Sequence, residues 1–242
     1  MNFKYSILMP FYDRTALLRN TLLSFQHQYK DRNDYEVVIV EDYKNSQDIS
    51  SLMQEFASSI NILIVMSEEP EDGSVQYNPS KMFNTAADIA SGEFLVITNP
   101  EVFHEENILA GFDEEFLDNE FTYVVCSCKS AIDCSGNYPN IKYTLDKWYE
   151  HTQHWNRKFH FCSAMKKSTY NSIGGFDEEY LRGIGYDDND FINTLLFHHV
   201  PVVCRDDLIV VHQDHSREYG MSQNEYMRLY NANAKYFSMK WR

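Results

Sequence analysis

The sequence predicts an α/β fold in which a mostly parallel central sheet is flanked by helices. Over the first 130 residues short apolar runs alternate with helical patterns, the βαβ rhythm of a sheet covered on both faces. Polar clusters follow the apolar runs, where open α/β sheets gather ligands beyond the carboxyl ends of their strands. No linker-like stretch interrupts the 242 residues, so one domain around one large core is the simplest account.

Each element is assigned from its own pattern. Tyr5 to Pro10 is a buried apolar run and reads as a strand, and Thr15 to Tyr29 is amphipathic and reads as a helix. Tyr35 to Val40 is a second strand, ending in Glu41 and Asp42. Gln47 to Ala57 reads as helix, Ile60 to Met66 as strand, Lys81 to Ala90 as helix and Glu93 to Thr98 as strand. Polar residues follow the strands: Pro10, Phe11, Tyr12 and Asp13 after the first, Glu41 and Asp42 after the second, and Asn99, Pro100 and Glu101 after the fourth. They are expected to converge on one crevice. Between the third strand and the next helix lies a short acidic loop, Glu68 to Ser74.

The second half is less regular. Phe121 to Ser127 reads as strand and Asp133 to Asn140 as a turn-rich excursion. Leu145 to Arg157 is aromatic and histidine-rich and suits a helix or mobile loop. Phe159 to Met165 reads as strand, Asn189 to His198 as helix, Val200 to Cys204 and Leu208 to His212 as two strands, and Ser222 to Trp241 as a tail helix.

Composition narrows the function. A formal charge of −15 argues against nucleic acid as partner, because phosphate backbones are met by basic faces. The five cysteines, odd in number and without paired CxxC spacing, indicate neither a disulfide framework nor a structural zinc site and point to a reducing compartment. No run reaches membrane-spanning length and the N-terminus lacks signal-peptide form, so a soluble cytoplasmic protein is expected, with peripheral membrane contact left open. There is no Walker loop and no GxGxxG.

The most informative stretch is GGFDEEYLRGIGYDDNDF, Gly174 to Phe191. It gathers Asp187, Asp188 and Asp190 beside glycines and aromatics at a helix start. Carboxylates this close repel one another, so the cluster is explained by a bound cation or by a substrate hydroxyl needing a base. The alternative is a solvated first helical turn, where aspartates are favoured anyway.

Taken in order, four segments resemble an inverting family 2 glycosyltransferase of the GT-A fold over nearly the whole chain. YSILMPFYDRTALLRNTLLSF is similar to the family's first strand and helix, EVVIVED to its second strand, SKMFNTAADIASGEFLVITNPE to the segment reaching the DxD strand end, and GGFDEEYLRGIGYDDNDF to the acceptor-side segment closing on an acid-Asp pair. The resemblance implies a GT-A, Rossmann-like sandwich with a nucleotide-sugar half (1–103) and an acceptor half (104–242). It implies a nucleotide pocket shaped by Pro10, Phe11 and Tyr12, with Asp42 at a uracil-type base, Asn84 in the following helix and Lys81 as the nearest cation to a phosphate or the base, Phe83 standing where the family often has Arg.

It also implies a divalent cation, Mn2+ or Mg2+, to hold the leaving diphosphate. The DxD position reads Asn99-Pro100-Glu101, so Glu101 is the expected ligand, with Asn99 offering an amide oxygen or touching the sugar. His212 matches the late metal-binding histidine, with His215 in reserve. Asp188 matches the general base and Asp187 a holder of the acceptor. Asp190 would orient the cluster or cap the helix, and Trp155, Tyr186 and Trp148 would stack on sugar rings. The implied reaction moves a sugar from a nucleoside diphosphate, most simply UDP, to a hydroxyl of a glycan or glycoconjugate. A sugar nucleotidyltransferase would favour a glycine-rich basic loop where MPFYDR stands. A catalytically silent sugar- or nucleotide-binding protein is the other reading, prompted by Asn99.

Overall fold

The computed structural model describes residues 3–71, 75–215 and 221–242. Asp72 to Ser74 of the acidic loop and Ser216 after the second histidine lie outside these residues. Strands β1 (Tyr5–Phe11), β2 (Tyr35–Glu41), β3 (Ile62–Met66) and β4 (Phe94–Thr98) alternate with helices α1 (Thr15–Gln28), α2 (Ser50–Phe56) and α3 (Ser80–Ile89). These four strands pair in parallel in the order β3-β2-β1-β4. Alternation along β1 splits the core between the two faces. Ile7, Met9 and Phe11 pack with Leu18, Leu22 and Phe25 of α1, while Leu8 packs with Met82, Phe83 and Ala86 of α3.

Beyond β4 the sheet becomes mixed. β8 (Cys162–Lys166) is antiparallel to β4 and to β6 (Tyr123–Ser135), and β9 (Val202–His212) lies parallel to β6. A three-residue strand, β5 (Val102–His104), closes the edge against β9, and β7 (Lys142–Glu150) branches off β6. The remaining helices are α4 (Ile108–Asp118), α5 (Lys167–Ile173), α6 (Asp187–Phe197) and α7 (Gln223–Lys240), with a 3-10 turn at Glu178–Arg182. No helix of the described residues is long and apolar enough to cross a membrane.

Several element boundaries differ from the sequence reading. The stretch expected as helix or mobile loop from Leu145 is strand β7 as far as Glu150, because it pairs with a β6 that runs on to Ser135. The two strands expected at 200–204 and 208–212 are one strand. β9 passes Arg205-Asp206-Asp207 through a bulge opposite Cys126/Ser127, and Arg205 there meets Asp207 at 2.7 Å. Helix α2 begins at Ser50 rather than Gln47, because Gln47 and Asp48 are spent on the preceding turn: the Gln47 N–H donates to Asp13 and the Asp48 carboxylate accepts from the Ser50 N–H. Helices α4 and α5 and strand β5 were not anticipated.

Register fixes what reaches the crevice. Phe11 pairs with Glu41, Thr98 with Cys162 and Val102 with His212. The loops after β1, β2, β4 and β9 and the residues just before β8 therefore share one edge of the sheet.

Candidate active site

Glu101 follows the tight turn after β4, where the Val102 N–H donates to the Asn99 carbonyl, and it stands beside the end of β9. Buried Gln213 pins this corner: its N–H donates to the Glu101 carbonyl at 2.9 Å and its side-chain amide to the Leu17 and Glu101 carbonyls. Locking the residue between two histidines sets both rings against the carboxylate. His212 Nε2 lies 3.5 Å and His215 Nε2 3.6 Å from Glu101 Oε1, and Arg14 Nη1 donates to the same oxygen at 2.7 Å. Glu101 is only 4% exposed, yet its Oε2 has no hydrogen-bond partner. Burial opposes its ionisation, but the hydrogen bonds to His212 and His215 and the charge of Arg14 hold the carboxyl well below its usual range.

A buried ionised carboxylate with one orphaned oxygen and two imidazoles within reach is a donor set suited to a hard divalent cation. The residues present therefore fit the metal that the resemblance implies: Glu101, His212 and His215 stand close enough together to hold one.

A second cluster sits at the start of α6. His160 Nδ1 lies 2.9 Å from Asp188 Oδ1, and His160, Asp187 and Asp188 form one compact group. The His160 ring is buried edge-on against Phe83 and Phe176. Burial disfavours its cation, but the neighbouring charge of Asp188 and the hydrogen bond to it prevail, so its pKa is raised. Burial, then the charge of Asp188, push the Asp187 carboxyl up to about 6, opposed by His160 and by a hydrogen bond from Asn78. Two acids adjacent in sequence are thereby differentiated, one paired with an imidazole and the other with its pKa raised by burial.

Arg157 connects the two groups. Its guanidinium lies 5.7 Å from the Phe161 ring, which in turn packs on His212, and its charge interacts with Asp188. Beside it, buried Glu150 accepts the backbone N–H groups of Arg157 and Phe159, while desolvation raises its pKa to about 7.

The other anticipated residues divide. Asp42 stands just beyond β2, where its N–H donates to the Phe11 carbonyl and its Oδ1 accepts from the Lys44 N–H at 2.8 Å. Pro10, Tyr12 and Asn99 share the crevice edge, and Tyr12 is 49% exposed. The Phe11 ring, by contrast, is wholly buried in the core, so it supports the pocket from behind rather than touching a ligand. Lys81 lies 3.6 Å from Glu68. Asn84 is spent inside the protein: its amide oxygen accepts from the Tyr170 hydroxyl and the Phe176 N–H, and its amide nitrogen donates to the Phe176 carbonyl and to Glu178.

Tyr186 packs on Tyr230 and Phe237 of α7. Trp155 is 54% exposed on the turn after β7, with Arg157 against its ring, and Trp148 packs with His151 and His154. Asp190 does not join its neighbours and does not cap the helix. It is buried and accepts from the Tyr180 hydroxyl, Lys240 Nζ and Trp241 Nε1, tying α6 to the C-terminal helix. A pocket of about 390 Å3 opens on that helical side, lined by Asn84, Phe176, Asp177, Asp190 and Lys240, away from the strand-end crevice.

Two residues of the site were missed in the sequence. Arg14 ends the MPFYDR segment, where a basic residue beside the crevice was the available signal. His160 precedes a strand whose antiparallel direction brings its first residues to the crevice, a direction the sequence does not encode locally.

The sequence profile described as glycosyl transferase family 2 matches residues 6–173. No curated protein matches. Among solved structures, TarS 1-349 of S. aureus in complex with UDP-GlcNAc is 14% identical with a TM-score of 0.68, over 96% of this chain and 66% of that one. The mannosyltransferase PcManGT from Pyrobaculum calidifontis, in complex with GDP-Man and Mn2+, is 17% identical with a TM-score of 0.65, over 90% of this chain and 59% of that one. A further crystal structure of S. aureus TarS 1-349 is 16% identical with a TM-score of 0.62, over 87% of this chain and 60% of that one.

Proposed function

The chain belongs to glycosyl transferase family 2, and from that premise we propose that it is a metal-dependent inverting enzyme. It would move a sugar from a nucleoside diphosphate, most simply UDP, to an acceptor hydroxyl of a glycan or glycoconjugate. The observation that carries this reading is the buried Glu101 carboxylate at the strand-end crevice, with two histidines against Oε1 and no hydrogen-bond partner at Oε2. That solved structures of similar fold hold UDP-GlcNAc, or GDP-Man with Mn2+, supports the donor class.

In this reading Asp42 accepts the imide hydrogen of the base, and Pro10, Tyr12 and Asn99 line the nucleotide cleft, with Lys81 near enough to the acidic loop to meet a phosphate. Glu101, His212 and His215 hold the cation. A bound divalent cation neutralises charge developing on the departing diphosphate. Asp188 takes the proton of the acceptor hydroxyl as that oxygen attacks the sugar carbon from the face opposite the diphosphate. His160 fixes the carboxylate through a 2.9 Å contact, leaving the other oxygen to face the acceptor. Asp187 holds the acceptor by accepting a hydrogen bond from one of its hydroxyls, and Trp155 and Tyr186 offer ring faces to sugars.

The test is a panel of nucleotide sugars scored by thermal shift with and without Mn2+, followed by product analysis with the stabilising donor. A donor that raises the melting temperature only with Mn2+ and then yields inverted product supports the proposal. Stabilisation without turnover on any acceptor supports the silent binding protein instead, and no stabilisation by any nucleotide sugar sinks both.

A further inference from the structure

The cation cluster contains a positive charge of its own. Glu101 is the single carboxylate in it, position 99 supplies a neutral amide, and Arg14 Nη1 sits 2.7 Å from the oxygen that both histidines approach. With the imidazoles neutral, the described ligands and Arg14 sum to zero charge. A dication entering this site meets no net attraction and a guanidinium already in contact with its main ligand. Unlike Glu101, the Arg14 side chain is 35% exposed at the mouth, so it can swing outward while the carboxylate stays fixed. Its planar fork is suited to bidentate contact with phosphate oxygens.

Resting on the donor-site reading above, we infer that Arg14 is a resident counter-cation that the divalent ion replaces at Glu101 only when a diphosphate arrives to receive the guanidinium. Arg14 then trades Glu101 for the diphosphate, and ion and diphosphate bind cooperatively. Because coupling between two ligands is reciprocal, the same residue weakens the ion in the free protein and strengthens the diphosphate in the loaded one. The arrangement lets the site keep a buried ionised carboxylate without holding a metal between turnovers.

The experiment measures Mn2+ binding to the full chain by electron paramagnetic resonance, alone and with saturating UDP, in the parent, Arg14→Gln and Arg14→Lys. In the parent, UDP should tighten Mn2+ binding strongly. Arg14→Gln should bind Mn2+ alone at least about tenfold more tightly than the parent, as expected from removing a like charge at contact distance. The same variant should bind UDP more weakly in the presence of Mn2+, so that the coupling shrinks from both sides. Arg14→Lys keeps the charge and should keep the weak binding of the free protein. If Arg14→Gln gains nothing for Mn2+ alone, or Arg14→Lys gains as much, the inference fails while the metal site stands. If neither parent nor variants bind Mn2+ even with UDP, the metal reading itself falls and takes the inference with it.

Discussion

Replacing Asp188 by Asn keeps the size of the side chain while removing its charge and basicity, and the structure gives two separable consequences. The first is electrostatic. Unit charges 2.9 Å apart interact by about 6 kcal/mol at an effective dielectric of about 20. The Asp188 side chain is 35% exposed, so solvent screens most of this, and about 1–2 kcal/mol is a realistic net for a hydrogen bond between charged groups here. Because the pair raises the His160 pKa in the folded state, its stabilisation is complete below the ordinary imidazole value and is lost as pH rises through the folded value. In Asp188→Asn the His160 pKa should fall, since burial then acts with only Asp187 opposing it, and the extra stability at mildly acidic pH should shrink. Imidazole NMR titration of the full chain reads the first effect, and denaturant melts at several pH values read the second. The other consequence is chemical: turnover should drop by about 10²–10⁴ with donor affinity unchanged, the scale of a lost general base. An unchanged His160 titration would refute the pairing, and a fully active variant would refute the base assignment.

Other outcomes follow from the same geometry. Calorimetric titration of UDP should show strong Mn2+ dependence that Glu101→Gln abolishes, since the orphaned oxygen and the two imidazoles then lose their anion; equal affinity with EDTA and with Mn2+ would remove the metal. Asp42→Ala should weaken UDP by about 1.5–3 kcal/mol through loss of a charge-assisted hydrogen bond, and undiminished binding would misplace the base. Asp190→Ala should cost about 2–4 kcal/mol in urea unfolding by stranding Trp241 Nε1 and leaving Lys240 with Asp177 alone, with UDP affinity intact. Glu150, with its folded pKa raised from 4.5 to about 7, favours the folded state while protonated and loses that contribution as pH climbs from about 4.5 through 7. Glu150→Gln should flatten the stability profile across that window, and a profile as steep as the parent's would show that another group governs it.

The parallel half of the sheet was legible because each strand there is an apolar run followed by polar residues, and each boundary falls within a few residues of its expected place. The second half was not, for reasons visible in particular residues. β7 exposes Lys142, Thr144, Leu145, Asp146 and Lys147 and owes its extended form to pairing with β6, a contact its own pattern does not announce. The Arg205-Asp206-Asp207 bulge looks like a turn in sequence, because charges inside one continuous strand are unusual. At the site, the adjacency of Glu101 and His212 was carried by the family's order of motifs. The approach of His215 to Glu101 depends on how Gln213 folds the loop. Gly183 answers to packing: a Cβ there would lie 2.0 Å from the Asn233 amide oxygen, so the missing side chain accommodates α7.

The five residue pairs that join β4 to β8 stitch the two halves of this molecule into one hydrogen-bonded surface. Any motion that parted these two strands would have to break that ladder. In the proposed reading, fitting a new acceptor falls to the rim, chiefly the turn bearing His151 to Trp155. Laboratory evolution toward other acceptors should therefore collect its changes in that turn and leave the seam untouched.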